Sequence, residues 1–395
     1  MKIPLAKPFF GPEEMNAIRL PLESGWVVQG PIVRKFEEKF STFTGAPFSI
    51  ATTSCTTALH VAVAALGLRP GDEVIVPAFT WVSTPNVVEY MGAKPVFCDI
   101  DLQTFNINLD QIETLITSRT VGIIPVHLFG LCAEMGPILE KAKKHHLWVI
   151  EDAACAFGAW YHGQHAGTFG EIGCFSFHPR KSITTGEGGM ITTAKPEIDR
   201  LSRILRDHGD SRTGVDGNVT KSAFRLGAFD TLGYNYRMTD IQGALGCAQM
   251  ERAQWILAER SRRAHLYDEM LRSIEWLELP EVPKGFIHGY QAYVCLFHPQ
   301  KPTLRNVDLL HQQRNDLMMR LEKKGISTRQ GTHAPVIEGY YVRKYHLRPE
   351  QFPNAYLADR LSLTLPLYVQ MTEAEQEMVV NELKHTFGEL SKTVK

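Results

Sequence analysis

Leu147-Trp148-Val149-Ile150-Glu151-Asp152 leads through Ala153-Ala154-Cys155-Ala156-Phe157-Gly158-Ala159 to Gly173-Cys174-Phe175-Ser176-Phe177-His178-Pro179-Arg180-Lys181, and the stretch closes on Gly186-Glu187-Gly188-Gly189. It reads as an apolar strand ending in an acid, a passage of small residues, a second strand, and a lysine on the turn beyond. In an open α/β sheet, ligands bind in the crevice outside the carboxyl ends of the strands. Asp152 and Lys181 then share one crevice, with the Ser176 hydroxyl at its wall. An isolated lysine is usually a surface residue. Here three glycines follow it closely, which points to unusual backbone conformations or to a bulky neighbour.

An acid, a hydroxyl and a lysine in one crevice are the groups that pyridoxal phosphate needs. The lysine forms a Schiff base, the acid keeps the pyridine nitrogen protonated, and the hydroxyl binds phosphate. An acid ending an apolar strand costs desolvation unless it meets a cation, and a protonated ring nitrogen is one. Ser54-Cys55-Thr56-Thr57 lies between a strand and a helix, where hydroxyls and free N–H groups suit a phosphate. An ordinary N-cap by Ser54 is compatible with that use. Trp81 stands just past a strand end, placed either to stack on a flat ring or to pack in the core. Glu151 alternates to the opposite face from Asp152 and reads as structural.

Outward from this stretch, strands are expected at residues 49–53, 73–77, 94–99, 122–126, 147–152, 173–177 and 189–193, with helices at 56–66, 82–91 and 135–145. Several strands are continuous apolar runs, as expected when helices cover both faces of a sheet. Residues 1–14 read as an irregular arm. Trp26 and Gln29 sit in a glycine-bounded loop that is either packed or a lid over a polar substrate. The polar stretch from His208 to about Lys221 is long for a compact fold and reads as a functional or partner-facing loop. A long helix is expected from residue 239 to about 265. Small residues in its first turns imply close packing, and Arg252, Arg260, Arg262 and Arg263 make its far half polar. Beyond Pro280 come an alternating strand at 290–298, a helix at 309–324, a strand entered at 325–328, a helix at 352–361 and an extended run at 363–367. The closing helix, at 372–387, is started by a Thr372–Glu375 capping box.

The chain has 395 residues and a formal net charge of −1, so it is large enough for two domains and shows no polybasic nucleic-acid surface. No run approaches the roughly 20 apolar residues that cross a bilayer, and no signal pattern opens the sequence. Cytoplasmic residence without membrane or nucleic-acid partners is the expectation. Seven cysteines lack any C-x-x-C spacing and no H-E-x-x-H occurs, so no metal site is expected.

Taken together, these residues resemble the DegT/DnrJ/EryC1/StrS family of pyridoxal-phosphate-dependent sugar aminotransferases, within the fold-type-I superfamily. The resemblance runs from about Gly25 to Leu367 and rests on several separated signatures. These include Pro70-Gly71-Asp72-Glu73-Val74-Ile75-Val76-Pro77, Glu151-Asp152-Ala153-Ala154, Phe175-Ser176-Phe177-His178 to Lys181, Leu205-Arg206-Asp207-His208-Gly209 and Gly233-Tyr234-Asn235-Tyr236-Arg237-Met238. It implies a three-layer α/β/α large domain (residues 1–255) with a mostly parallel seven-stranded sheet, and a small α+β C-terminal domain (residues 256–395). It further implies that Lys181 forms the internal aldimine and shuttles a proton, that Asp152 pairs with the pyridine nitrogen, and that Trp81 stacks on the ring. Thr56, Thr57 and Ser176 would hold the phosphate. Asn235 would reach it from a neighbouring subunit, making a homodimer with shared active sites. Arg237 is a candidate anchor for an acidic group on the donor or the nucleotide, and Trp26, Gln29 and His333 are candidate sugar contacts. Cys155 stands where the family usually has His or Gln near the ring, and Cys55 where Gly is common.

The implied reaction is ping-pong, from glutamate or glutamine to a nucleotide-linked 3- or 4-keto-6-deoxyhexose. A cyclitol aminotransferase of the scyllo-inosose type, a lysine-retaining sugar dehydratase and a non-catalytic cofactor-binding regulator are the alternatives. Retention of Lys181 argues against the histidine-bearing dehydratase branch, and the lack of a nucleic-acid-binding segment argues against a regulator.

Overall fold

The computed structural model describes residues 2–212 and 227–393. Most of the expected polar loop after His208 therefore lies outside the described residues. In chain order the strands are β1 (Phe48–Thr52), β2 (Glu73–Pro77), β3 (Lys94–Cys98), β4 (Thr120–Ile123), β5 (Trp148–Asp152), β6 (Trp160–Tyr161) and β7 (Gln164–His165). Then follow β8 (Ile172–Ser176), β9 (Gly189–Thr193), β10 (Leu277–Glu278), β11 (Phe286–Ile287), β12 (Tyr293–Phe297) and β13 (Ser362–Leu365). The helices that matter for the site and its support are α1 (Pro12–Ser24), α2 (Pro31–Thr44), α3 (Cys55–Ala65), α4 (Ser83–Tyr90), α5 (Leu109–Ile112), α6 (Met135–Lys144) and α7 (Pro196–Arg206). After them come α8 (Asp240–Glu251), α9 (Ala253–Leu271), α10 (Val307–Lys323), α11 (Gly339–Tyr345), α12 (Pro353–Leu361) and α13 (Glu373–Thr393).

The seven-stranded sheet has the order β1-β9-β8-β5-β4-β2-β3. Only β9 runs antiparallel to its neighbours. This is the mostly parallel sheet expected from the apolar runs. Its strands are buried almost throughout because helices cover both faces. On one face α2 sets Phe36 and Phe40 against Phe157, Phe175 and Phe177, in a cluster of edge and stacked contacts. α8 crosses α2 closely, and a Cβ on Gly246 would stand 2.8 Å from the Phe36 ring. That close approach is what the small residues of the sequence signalled.

The expected single helix over 239–265 is two helices. α8 stops at Glu251, Arg252 leaves helical geometry at φ −105° and ψ 1°, and α9 runs on to Leu271. Neither Gly nor Pro marks the break. Arg252 is drawn back instead by ion pairs to Glu13 and Glu14 of α1 and lies over the Phe9 ring. The redirected α9 puts Ile256 in the core under the large sheet and Tyr267 and Leu271 in the core of the smaller unit. Two of its arginines are not a solvated face. Arg260 and Arg263 are buried and donate to the carbonyls of Tyr290, Gln291 and Met371.

The smaller C-terminal α+β domain is built on the antiparallel sheet β10-β12-β13, with α9, α10, α12 and α13 around it. The capping box at Thr372 forms as expected, with Glu375 N–H donating to the Thr372 hydroxyl. The strand expected at 325–328 reduces to isolated bridges, one of which ties the N-terminal arm through Ile3 to Ile326. A third, small sheet, β11-β6-β7, has two-residue strands that the sequence pattern does not reveal. Among the described residues no helix is long and apolar enough to cross a membrane.

Two buried histidines fix loops beside the sheet. His165 Nε2 accepts the Gly158 N–H at 3.0 Å and Nδ1 donates to the Ala166 carbonyl. His288 Nδ1 accepts the Tyr290 N–H at 2.8 Å. Burial holds both neutral, pulling His165 down to about 4 and His288 down to about 3. For a histidine whose folded value is lowered, stability is complete above the unfolded value near 6.5 and is lost as pH falls toward the folded value. Each site is expected to forfeit roughly 3 kcal/mol between pH 6.5 and 4. Urea midpoints across that range should fall steeply, and less steeply in His165→Asn; a flat profile would contradict the assignment.

Candidate active site

Asp152 ends β5 with its carboxylate buried. Its Oδ2 accepts the Thr84 hydroxyl at 2.7 Å, and its Oδ1 accepts the Ala154 N–H at 3.1 Å. Thr84 comes from the first turn of α4, which starts just beyond β2. Burial pushes the Asp152 carboxyl up from its ordinary value, although the Thr84 and Ala154 bonds oppose the shift. Among the described residues it makes no ion pair within 4.0 Å. Lys181 lowers its value only from longer range, so a cation in direct contact would offset the cost of its burial.

Glu151 does face the other way. It accepts N–H bonds from Gly167, Phe169 and Gly170, and His127 Nε2 lies 2.8 Å away. Since His127 Nδ1 accepts the Ala133 N–H, Nε2 is the nitrogen that donates to Glu151. This pair fastens the turns beneath the site and takes no part in its open side.

The N-terminus of α3 supplies the second feature. Ser54 caps it, accepting the Thr57 N–H at 3.1 Å, and the Thr57 hydroxyl accepts the Ser54 N–H in return. The Thr56 hydroxyl turns instead to Ser83 at 2.8 Å, so hydroxyls from two helix starts meet at the pocket wall. Unbonded first-turn N–H groups and these hydroxyls favour an anion. Gly189 permits the arrangement, because a Cβ there would stand 2.3 Å from the Ser54 carbonyl oxygen and 2.7 Å from Cys55 N. Gly189→Ala must therefore displace the helix start. It is expected to weaken binding of a phosphate-bearing ligand by at least about tenfold, on the scale of one lost charge-assisted hydrogen bond; titration with unchanged affinity would contradict the role given to this helix.

Lys181 stands on the turn after β8, with its N–H bonded to the His178 carbonyl at 2.8 Å. Its Nζ donates to Cys155 Sγ at 3.0 Å. Gly186, at φ 81°, takes the left-handed conformation that the glycine-rich turn implied. Asp152, Cys155, Ser176, Lys181, Thr56 and Trp81 all line one pocket of about 320 Å³. Trp81 is half exposed, with the His333 ring 5.7 Å from it.

The remaining residues singled out by sequence stand elsewhere in this chain. Thr57 is engaged in the cap just described. His333 adjoins the pocket, its carbonyl accepting the Thr80 N–H. Arg237 is ion-paired with Asp207, and Asn235 bridges to the same residue in backbone pairing. Trp26 is 52% exposed and bonds the Gln29 carbonyl. None of these lies on the pocket wall.

The sequence reading passed over Thr84, Ser83, Gln291 and Arg329, although Ser83, Gln291 and Arg329 line the pocket and Thr84 holds Asp152. Ser83 and Thr84 had a signal. They repeat after β2 the strand, hydroxyl pair and helix seen at Thr56 and Thr57 after β1. Gln291 and Arg329 arrive from the C-terminal part of the chain and had none.

The family model described as the DegT/DnrJ/EryC1/StrS aminotransferase family matches residues 9–384. An uncharacterized protein of Methanocaldococcus jannaschii is 38% identical over 387 residues, 98% of each chain. GDP-perosamine synthase of Caulobacter vibrioides is 37% identical over 384 residues, 97% of each. Among solved structures, a Streptococcus pneumoniae protein described as a sugar aminotransferase, in its PMP form, superposes with a TM-score of 0.91 at 26% identity, covering 100% of both chains.

Proposed function

The chain belongs to the DegT/DnrJ/EryC1/StrS aminotransferase family, and on that premise we propose that it is a pyridoxal-5′-phosphate-dependent sugar aminotransferase. It takes the amino group of glutamate or glutamine and passes it to a nucleotide-linked keto-sugar, a 3- or 4-keto-6-deoxyhexose. One observation carries the reading: Asp152, a buried carboxylate with no ion pair within 4.0 Å among the described residues, shares a pocket with a lysine amine and a hydroxyl-lined helix N-terminus. Pyridoxal phosphate offers a cationic ring nitrogen, an aldehyde and a phosphate, one for each. A relative's name, GDP-perosamine synthase, supports a nucleotide-linked acceptor.

When bound, the cofactor supplies the electron sink that makes the donor's α-proton acidic. The chain's own residues do the rest. Asp152, fixed by Thr84, holds the charge of the ring nitrogen. Lys181 Nζ anchors the cofactor and moves the proton from the donor's α-carbon. Thr56, Thr57 and Ser176 hold the phosphate, Trp81 covers the ring, and Cys155 borders it. Asn235 lies off this pocket, which fits a role in the pocket of a second copy, and the exposed apolar side chains Met15, Leu20, Leu22 and Val28 suit a homodimer. Arg237, Trp26, Gln29 and His333 are assigned to substrate. We assign the large unit to residues 1–255 and the setting to the cytoplasm.

The test is glutamate or, in a parallel reaction, glutamine, each nitrogen-labelled at its α-amino group and incubated with the protein, the cofactor and nucleotide-linked keto-sugars. Label appearing in an amino sugar nucleotide is expected. Label appearing only in a cyclitol such as scyllo-inosose would move the assignment to that substrate class, and no transfer to any acceptor would refute it.

A further inference from the structure

We propose that Cys155 and Lys181 form a site of oxidative modification, at which a hydroperoxide leads to a covalent bond between Cys155 Sγ and Lys181 Nζ. The bond rests on the geometry alone; its effect on turnover rests on the role of Lys181 proposed above.

The two atoms are already in contact, with Nζ donating to Sγ at 3.0 Å. Cys155 follows β5 and Lys181 follows β8, and these strands are paired neighbours, so the sheet holds both turns together. Both residues are partly exposed on the pocket wall, where a small oxidant reaches them. The other thiol at this wall differs. Cys55 is buried, and burial together with the adjacent Asp152 pushes its thiol far above the ordinary value, so it resists oxidation. Cys98, Cys132, Cys174 and Cys295 are buried as well.

The chemistry balances in two steps. The hydroperoxide O–O bond breaks as Cys155 Sγ takes one oxygen, giving the sulfenic acid and releasing water or an alcohol. The neutral Lys181 amine then attacks Sγ, the S–O bond breaks, and the oxygen leaves as water with a proton from nitrogen. Sulfenic acids condense with nitrogen in this way, and an amine held beside the sulfur reacts at high effective concentration. Two equivalents of a thiol reverse the bond, restoring Cys155 and Lys181 and leaving a disulfide of the reductant.

The experiment treats the full-length protein with dilute hydrogen peroxide at mildly alkaline pH, with and without prior glutamate, and maps peptides by mass spectrometry. A linked pair carrying residues 155 and 181, lighter by two hydrogens than the separate peptides, is expected. Activity should fall by at least about tenfold, as loss of an essential amine requires, and return with dithiothreitol. In Cys155→Ser the pair should be absent, and the ratio of treated to untreated activity should stay near one whatever the basal rate. Cys155 found as sulfinic acid beside a free Lys181, Cys155 left unmodified, or Cys155→Ser inactivated as fast as the parent would each overturn the proposal. The linked peptide is read without any acceptor sugar, so its absence and a failure of amino transfer are separate results.

Discussion

Lys181→Ala is expected to lower turnover by at least ~10,000-fold and to abolish the visible absorption of the cofactor-loaded protein. The size follows from the two duties of one atom. In the proposed reaction Nζ is both the nucleophile that anchors the aldehyde and the base that carries the α-proton, and a positioned acid–base group alone contributes on the order of 100- to 10,000-fold. No neighbour is placed to substitute. Cys155 Sγ is the atom Nζ touches, and a thiol cannot form the same link. Folding should be little affected, since Lys181 is partly exposed and its side chain makes no ion pair among the described residues. A variant that keeps more than about one per cent of turnover would remove Lys181 from the centre of the account.

Asp152→Asn should separate cofactor binding from folding. The substitution keeps the shape and the Thr84 bond but removes the charge proposed to face the ring nitrogen. Losing one partner of a buried charge pair costs about 2–5 kcal/mol, so affinity for the cofactor should drop by roughly 30-fold or more, and turnover should fall further because the ring no longer holds its proton. The cofactor-free protein should respond in the opposite sense. The folded-state value of Asp152 is raised by burial. A carboxyl raised on folding binds its proton more tightly in the native state, so stability declines as pH climbs from the unfolded value near 3.9 through the folded one. Removing the charge relieves that decline, and the cofactor-free Asp152→Asn protein should be at least as stable at pH 7 as its parent. Melting curves with and without cofactor read both effects; a destabilised cofactor-free variant with normal cofactor affinity would show that Asp152 is structural.

What the sequence disclosed was whatever depends on local pattern. Apolar runs of strand length separated by helical periodicity sufficed for the seven-stranded sheet, and the acid of β5 and the lysine after β8 converged because both lie at strand carboxyl ends. What it hid depends on distant partners. The break at Arg252 has no helix breaker and comes from ion pairs to α1. Arg260, Arg263 and Arg314 look like surface residues, yet each is buried by donating to carbonyls of remote segments. The hydroxyl pair Ser83 and Thr84 was legible after β2, but the bond from Thr84 to Asp152, which spans 68 positions, was not. The strands β6, β7 and β11 are two residues long, too short to carry an alternation.

The most direct test of the central claim is the absorbance spectrum of the purified protein, supplied with pyridoxal phosphate, before and after glutamate and then glutamine. A visible band that collapses toward shorter wavelength on adding a donor, and is absent in Lys181→Ala, is the predicted result. A band that persists with both donors, or no band once cofactor has been added, would contradict the assignment.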